Sequence, residues 1–175
     1  IVAEHKDTST RIALVSDATT PIAARWRVRA FDMAGKPLGE QGAAANMPAL
    51  SATDVAKLDD AALFGTADPA SSYAVAELLV GNAVVSRAII ERGVPKTMHY
   101  PDPGLTATWS GNTVTVRSTA LARAVMLDFG KIGAHASDDG FDLLPGESRT
   151  ITVTSTASPK ALAAALTLRS LGSRR

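Results

Sequence analysis

The chain contains no cysteine. That single absence excludes disulfides, iron–sulfur clusters, zinc knuckles and thiol nucleophiles. It leaves the compartment open, because a reduced cytosol and a secreted protein built without disulfides both fit. Aromatic residues are scarce, at 5% of a chain that is 46% hydrophobic; alanine alone supplies 32 of the 175 residues. The apolar content is therefore mostly small side chains. No apolar run approaches the roughly 18 residues a spanning helix needs, so no membrane span is expected. Neither sign of charge dominates: 18 Lys+Arg against 17 Asp+Glu leave +1, no global field to recruit nucleic acid or an anionic membrane. No charged-then-apolar leader follows Ile1, so the chain is expected to be a processed product or a fragment. Its length holds one ordinary domain or two small ones.

Motifs for chemistry are equally sparse. His5, His99 and His135 do not sit at metal-ligand spacing, and none belongs to an H-E-x-x-H pattern. There is no G-x-S-x-G elbow, phosphate loop or dinucleotide fingerprint. Gly130, Gly133, Gly140 and Gly146 read as turn glycines. No metal, no cofactor and no catalytic residue is expected.

What is present is a period of two. Ala24, Trp26, Val28 and Ala30 alternate with Arg25, Arg27 and Arg29, a half-buried strand closed by the turn residues Asp32–Pro37. Arg11–Ser16 reads as another strand. Two hairpins are specified by Gly-Asn pairs, Gly81-Asn82 and Gly111-Asn112. Two-residue loops there pair Leu79 with Val84, Val75 with Ala88 and Tyr73 with Ile90 in the first hairpin. In the second they pair Trp109 with Val114 and Ala107 with Val116. Further strands are expected at Ala124–Phe129 and Arg149–Ser155. The only helix signal is Ser158-Pro159 at a helix start, leading into a short helical turn and then a strand to Leu171.

Short strands at close spacing with turns between them predict antiparallel sandwich architecture. Pro95, Pro101 and Pro103 break the chain across Val94–Gly104. The expected fold class is all-β: two tandem β-sandwich domains, residues 1–100 and 101–175.

Two constellations offer function. A glycosidase needs only two carboxylates about 5–9 Å apart, and Asp59-Asp60, Glu77, Asp128, Asp138-Asp139, Asp142 and Glu147 are available. Adjacent aspartates point to opposite faces of a strand or cap turns, and no aromatics flank these. The stripe Arg25, Arg27, Arg29 sets guanidinium roots about 6.6 Å apart along one strand face. It can grip an anionic polymer or a carboxylate-rich surface, or stand as a solvated or interdomain face. Trp26 and Trp109 lie on the apolar faces of their strands, which makes them core residues before sugar-stacking platforms.

Ser137-Asp138-Asp139-Gly140-Phe141-Asp142-Leu143-Leu144-Pro145-Gly146-Glu147 resembles the S-D-N-x-F-D-L-L-P-G-E signature near the C-terminus of β-mannosidases of glycoside hydrolase family 2. The flanking RAVMLDFG at 123–130 and the terminal L-T-L-R-S-L agree, as does the P-K…P-x-P stretch from Pro95 to Pro103. Ser16-Asp17 with Arg25–Phe31, Gly35 and Leu38 resembles the opening of the family's penultimate sandwich. Asp139 departs from the usual Asn, Gly140 from an aromatic or small residue, and Ser16 from an Asn.

The resemblance implies two immunoglobulin-like sandwiches that follow a (β/α)₈ barrel carrying the two catalytic glutamates. Neither that barrel nor the N-terminal domains fit in 175 residues, so no catalytic role transfers to any position. It further implies that Asp138 and Asp142 cap loop N–H groups, that Phe141 and Leu144 anchor the loop, and that Pro145-Gly146 turns into the last hairpin. The expected function is that of non-catalytic C-terminal accessory domains of an exo-acting retaining β-mannosidase, partnered by the parent's barrel and N-terminal domains. A freestanding carbohydrate-binding or adhesion module, or the same region of an exo-β-glucosaminidase, stays open as the alternative. A bacterial periplasmic or secreted setting is preferred over the cytoplasm.

Overall fold

Proline after proline from Pro95 to Pro103 denies the chain a central strand, and there the computed structural model divides into two units, Ile1–Met98 and His99 onward. The structure describes residues 1–173. Each unit carries seven described strands in a three-stranded and a four-stranded sheet, with every pairing antiparallel. The fold is all-β.

In the first unit the chain runs β1 (Val2–Lys6), β2 (Ser9–Ser16), β3 (Ile22–Asp32), β4 (Pro37–Met47), β5 (Ser51–Asp59), α1 (Asp60–Phe64), β6 (Ser72–Val80) and β7 (Ala83–Glu91). The sheets are β1-β2-β5 and β4-β3-β6-β7. The alternation of β3 does what its period demands: Trp26, Val28 and Ala30 enter the core with Ile12 and Leu14 of β2 and Ala74, Ala76 and Leu78 of β6. Full burial of each large side chain stabilises by about 1.5–3 kcal/mol. The turn after β3 is set by Asp32, whose Oδ1 accepts from the N–H groups of Ala34 and Lys36.

The Gly81-Asn82 turn forms, with positive φ at the glycine alone, the requirement of a type II′ hairpin. The expected register holds only next to the turn. Leu79 faces Val84, but Val75 faces Ile89 and Tyr73 faces Glu91, because a bulge at Val85 adds one residue to β7. The bulge has a packing reason. It moves Ile90 and Ala88 opposite Ala74 and Ala76, onto the core face, where the unbulged register would set them beside Tyr73 and Val75 on the outer face. Short α1 was also unsignalled; it buries Leu63 and Phe64 and ends at Gly65.

The second unit runs β8 (Thr106–Ser110), β9 (Thr113–Arg117), β10 (Ala122–Asp128), β11 (Ala134–Ala136), β12 (Phe141–Leu143), β13 (Ser148–Ser155), α2 (Pro159–Ala165) and β14 (Thr167–Leu171). Its sheets are β11-β13-β9-β8 and β12-β10-β14. Trp109 pairs with Val114 and Ala107 with Val116, as the second hairpin specifies. Val114, Val116, Ile151 and Val153 from one sheet meet Val125, Leu127, Phe141 and Leu143 from the other. The tail is helix then strand: Ser158 Oγ accepts from Ala161 N–H, Pro159 opens α2, and Leu162 reaches the core.

Candidate functional site

Strand parity places Arg25, Arg27 and Arg29 on the outer face of β3, and antiparallel pairing sets Glu77 of β6 opposite Arg27. Arg27 donates to Glu77 Oε2 from Nε at 3.1 Å and from Nη2 at 2.6 Å. Arg29 Nη2 reaches the same carboxylate at 3.2–3.3 Å. Glu77 is only 2% exposed, so its charge is balanced by two guanidinium groups drawn from the stripe. The Arg29 guanidinium also stands 5.6 Å from the Phe31 ring, which stacks on Tyr73 at 5.5 Å. Two of the three stripe arginines are thus committed to a carboxylate of their own sheet; Arg25 lines a shallow surface cleft with Glu40 and Gln41 instead. The pairing was not read from the sequence: Arg27 and Glu77 meet through the β3–β6 register, which no turn between them sets.

The loop before β13 is tied down residue by residue. Asp138 Oδ1 accepts from Asp139 N–H, and its Oδ2 meets Arg149 Nη2 at 2.5 Å. Asp142 works across strands: Oδ1 accepts from Ala124 N–H at 2.9 Å and Oδ2 pairs with Arg123. Ala124 stands at φ 51, inside a bulge of β10, and its N–H has left the ladder. Asp139 extends the same device. Beyond Phe141, where β12 has no further residue to offer, Asp139 Oδ1 accepts from Leu127 N–H at 2.9 Å. Its bond to β10 was not foreseen.

Phe141 is buried under the Arg149 guanidinium, 5.1 Å from the ring centroid. The second deep anchor is Leu143, 2% exposed, whereas Leu144 stays half-buried and donates its N–H to Glu147 Oε2. Parity explains the exchange: Phe141 and Leu143 share the inner face of β12, and Leu144 falls on the other side. Pro145 and Gly146 form the turn, with Gly146 at φ 82 and Glu147 N–H returning to Leu144 O at 3.0 Å.

The remaining candidates disperse. His5 meets Asp60 Oδ2 at 3.1 Å inside the first unit, and the same oxygen lies 3.7 Å from Arg92 Nη1. Arg92 lies 4.0 Å over the Phe64 ring and donates to Ala67 O and Ser72 Oγ, both at 2.6 Å. Burial pulls its pKa below the usual arginine range, against the opposing pull of Asp60. His135 lies in β11 opposite Thr154. Among the described residues no group of three His, Asp or Glu is placed to hold a metal ion. Among the described residues no helix is long and apolar enough to cross a membrane. Trp26 is buried at 6% exposure, and Trp109 is half-buried with its ring edge-on to Phe129 at 6.4 Å.

Family models match both units. A mannosidase Ig/CBM-like domain matches residues 8–96, and an Ig-fold domain matches residues 100–173. Among solved structures, a β-D-mannosidase from Dictyoglomus thermophilum aligns over 99% of this chain and 21% of its own, with TM-score 0.73 and 13% identity. An exo-chitosanase from Amycolatopsis orientalis aligns over 94% of this chain and 24% of its own, with TM-score 0.57 and 13% identity. The chain thus spans under a quarter of the length of either, and at such identity the likeness is one of fold. A search of curated protein sequences returns no match. With the two models covering its two sandwiches in order, the chain belongs to the mannosidase Ig/CBM-like domain family over residues 8–96 and continues into an Ig-fold domain over residues 100–173.

Proposed function

We propose that this chain serves as the non-catalytic accessory region of an exo-acting retaining β-mannosidase, an enzyme releasing terminal non-reducing β-D-mannose by double displacement. The observation that carries this reading is the ordered pair of domain matches, mannosidase Ig/CBM-like then Ig-fold. The side chains support it. Glu77, Asp138 and Asp142 each balance an arginine, and Asp139 holds a backbone N–H. These are carboxylates spent on holding sheets and loops together, which is the work of a buttress. In the parent the sandwiches would bear on the (β/α)₈ barrel and the N-terminal domains.

The likeness to an exo-chitosanase favours one second reading, the same region of an exo-glycosidase acting on glucosamine-containing chains. Native mass and activity separate the readings. An antibody against this chain should capture a polypeptide several-fold heavier than 18.1 kDa that hydrolyses an aryl β-mannoside. Hydrolysis of an aryl β-glucosaminide alone would move the assignment to the second reading. A native species of this mass with neither activity would overturn both.

A further inference from the structure

A groove of about 670 Å³ opens in the second unit between β8 and the α2–β14 segment. Small-molecule sites commonly fall in the range of about 300–1,000 Å³. Its apolar wall is Leu105, Trp109, Leu166 and Leu168, all partly buried against the core, so each offers one side to the interior and the other to the groove. Asp102 and Thr167 supply polar groups on the same groove.

Three of those groups are ready for a ligand. Asp102 Oδ1 accepts from Gly104 N–H at 3.0 Å, which fixes the carboxylate, while its Oδ2 has no partner among the described residues. The Thr167 hydroxyl and the Trp109 indole N–H are likewise unengaged there. The indole is held in place by its edge-on contact with Phe129, so it is preorganised.

An aromatic wall, one free acceptor, one free N–H donor and one hydroxyl match a particular chemistry. A pyranose ring has an apolar C–H face and a rim of hydroxyls that both donate and accept. Among the described residues no lysine or arginine lines the groove, and its one carboxylate disfavours phosphate or nucleotide. A single carboxylate is also a poor cage for a divalent cation. We infer that this groove is a binding site for one pyranose unit of a neutral saccharide, seated against Trp109 with a ring hydroxyl on Asp102. It gives the Ig-fold unit a ligand of its own and does not depend on which glycoside the parent enzyme cleaves.

The test follows the two indole N–H resonances of the ¹⁵N-labelled chain, assigned with W109F, during titration with β-1,4-mannobiose. The Trp109 resonance should shift saturably while that of buried Trp26 stays put. Asp102→Asn, which can keep the Gly104 contact, should weaken binding by about tenfold, and Trp109→Ala should abolish it. Unchanged backbone amide resonances of β9 and β13, which carry the core of the second unit, report that each variant is folded there. No saturable shift, a shift confined to Trp26, or an equal response to the open-chain polyol sorbitol would overturn the inference. Loss of β-mannosidase activity from the native enzyme would instead overturn the proposed function and leave this titration intact.

Discussion

Arg27 Nη2 lies 2.6 Å from Glu77 Oε2, joining β3 to β6 on the outer face of their sheet. The two partners are not equally placed: Arg27 is about a quarter exposed and Glu77 almost wholly buried. Removing Arg27 leaves the buried carboxylate to Arg29 alone, at the longer 3.2 Å contact, whereas removing the carboxylate frees guanidinium groups that can turn to water.

The first prediction is that asymmetry. Arg27→Ala should destabilise the first unit by about 2–3 kcal/mol, held below the cost of an uncompensated buried charge by Arg29, and Glu77→Gln by about 1 kcal/mol. Urea unfolding followed by Trp26 fluorescence reads the first unit, since Trp26 is its only tryptophan. An order reversed between the two variants would show that the carboxylate is not the group left in need.

That pair also marks how far the sequence could be read. Regular alternation made β3 legible, and Gly-Asn turns fixed both hairpin positions and the register of β8 with β9. Val85 was opaque because a bulge is chosen by what the core needs, here Ile90 facing Ala74, and not by any local residue. Edge strand β4 was opaque for another reason: its Gly-Ala-Ala-Ala run carries no alternation to detect, its place being set by pairing with β3. Within the loop the turn residues Pro145 and Gly146 could be read from chain-local chemistry. Asp139 and Asp142 could not, since their targets Leu127 and Ala124 lie on another strand.

Ala124 gives the second prediction. A non-glycine residue at φ 51 is strained by about 1–2 kcal/mol. Ala124→Gly should therefore raise the stability of the second unit, read through Trp109, by about 1 kcal/mol. Asp142→Ala should lower it by about 1–3 kcal/mol by leaving the Ala124 N–H and Arg123 without their acceptor. Stabilisation by D142A would mean that the carboxylate enforces the strained bulge and does not relieve it.

Two glycines with opposite surroundings give the third. A Cβ on Gly39 would sit 2.3 Å from the backbone oxygen of Leu63, so β4 or α1 would have to move. Gly39→Ala should cost about 1–3 kcal/mol. Gly133 has open space around its would-be Cβ and no positive φ, so Gly133→Ala should be neutral or stabilising by up to about 1 kcal/mol. Equal midpoints for G39A and the parent chain would show that β4 and α1 do not pack this closely in solution.

The cluster under β1 carries the last. Thr10 is fully buried, faces His5 across the β1–β2 pair, and its hydroxyl has no partner among the described residues. An unpaired buried hydroxyl costs about 1–3 kcal/mol relative to an apolar group of the same shape. Thr10→Val should accordingly stabilise the first unit by about 1 kcal/mol in the same Trp26-monitored unfolding. Arg92→Lys in that cluster should do the reverse despite keeping the charge. A lysine cannot hold the Ala67 carbonyl and the Ser72 hydroxyl while stacking over Phe64 as the planar fork does, and a loss of about 2 kcal/mol is expected. If T10V destabilised instead, the hydroxyl would have to be bonded to an ordered water.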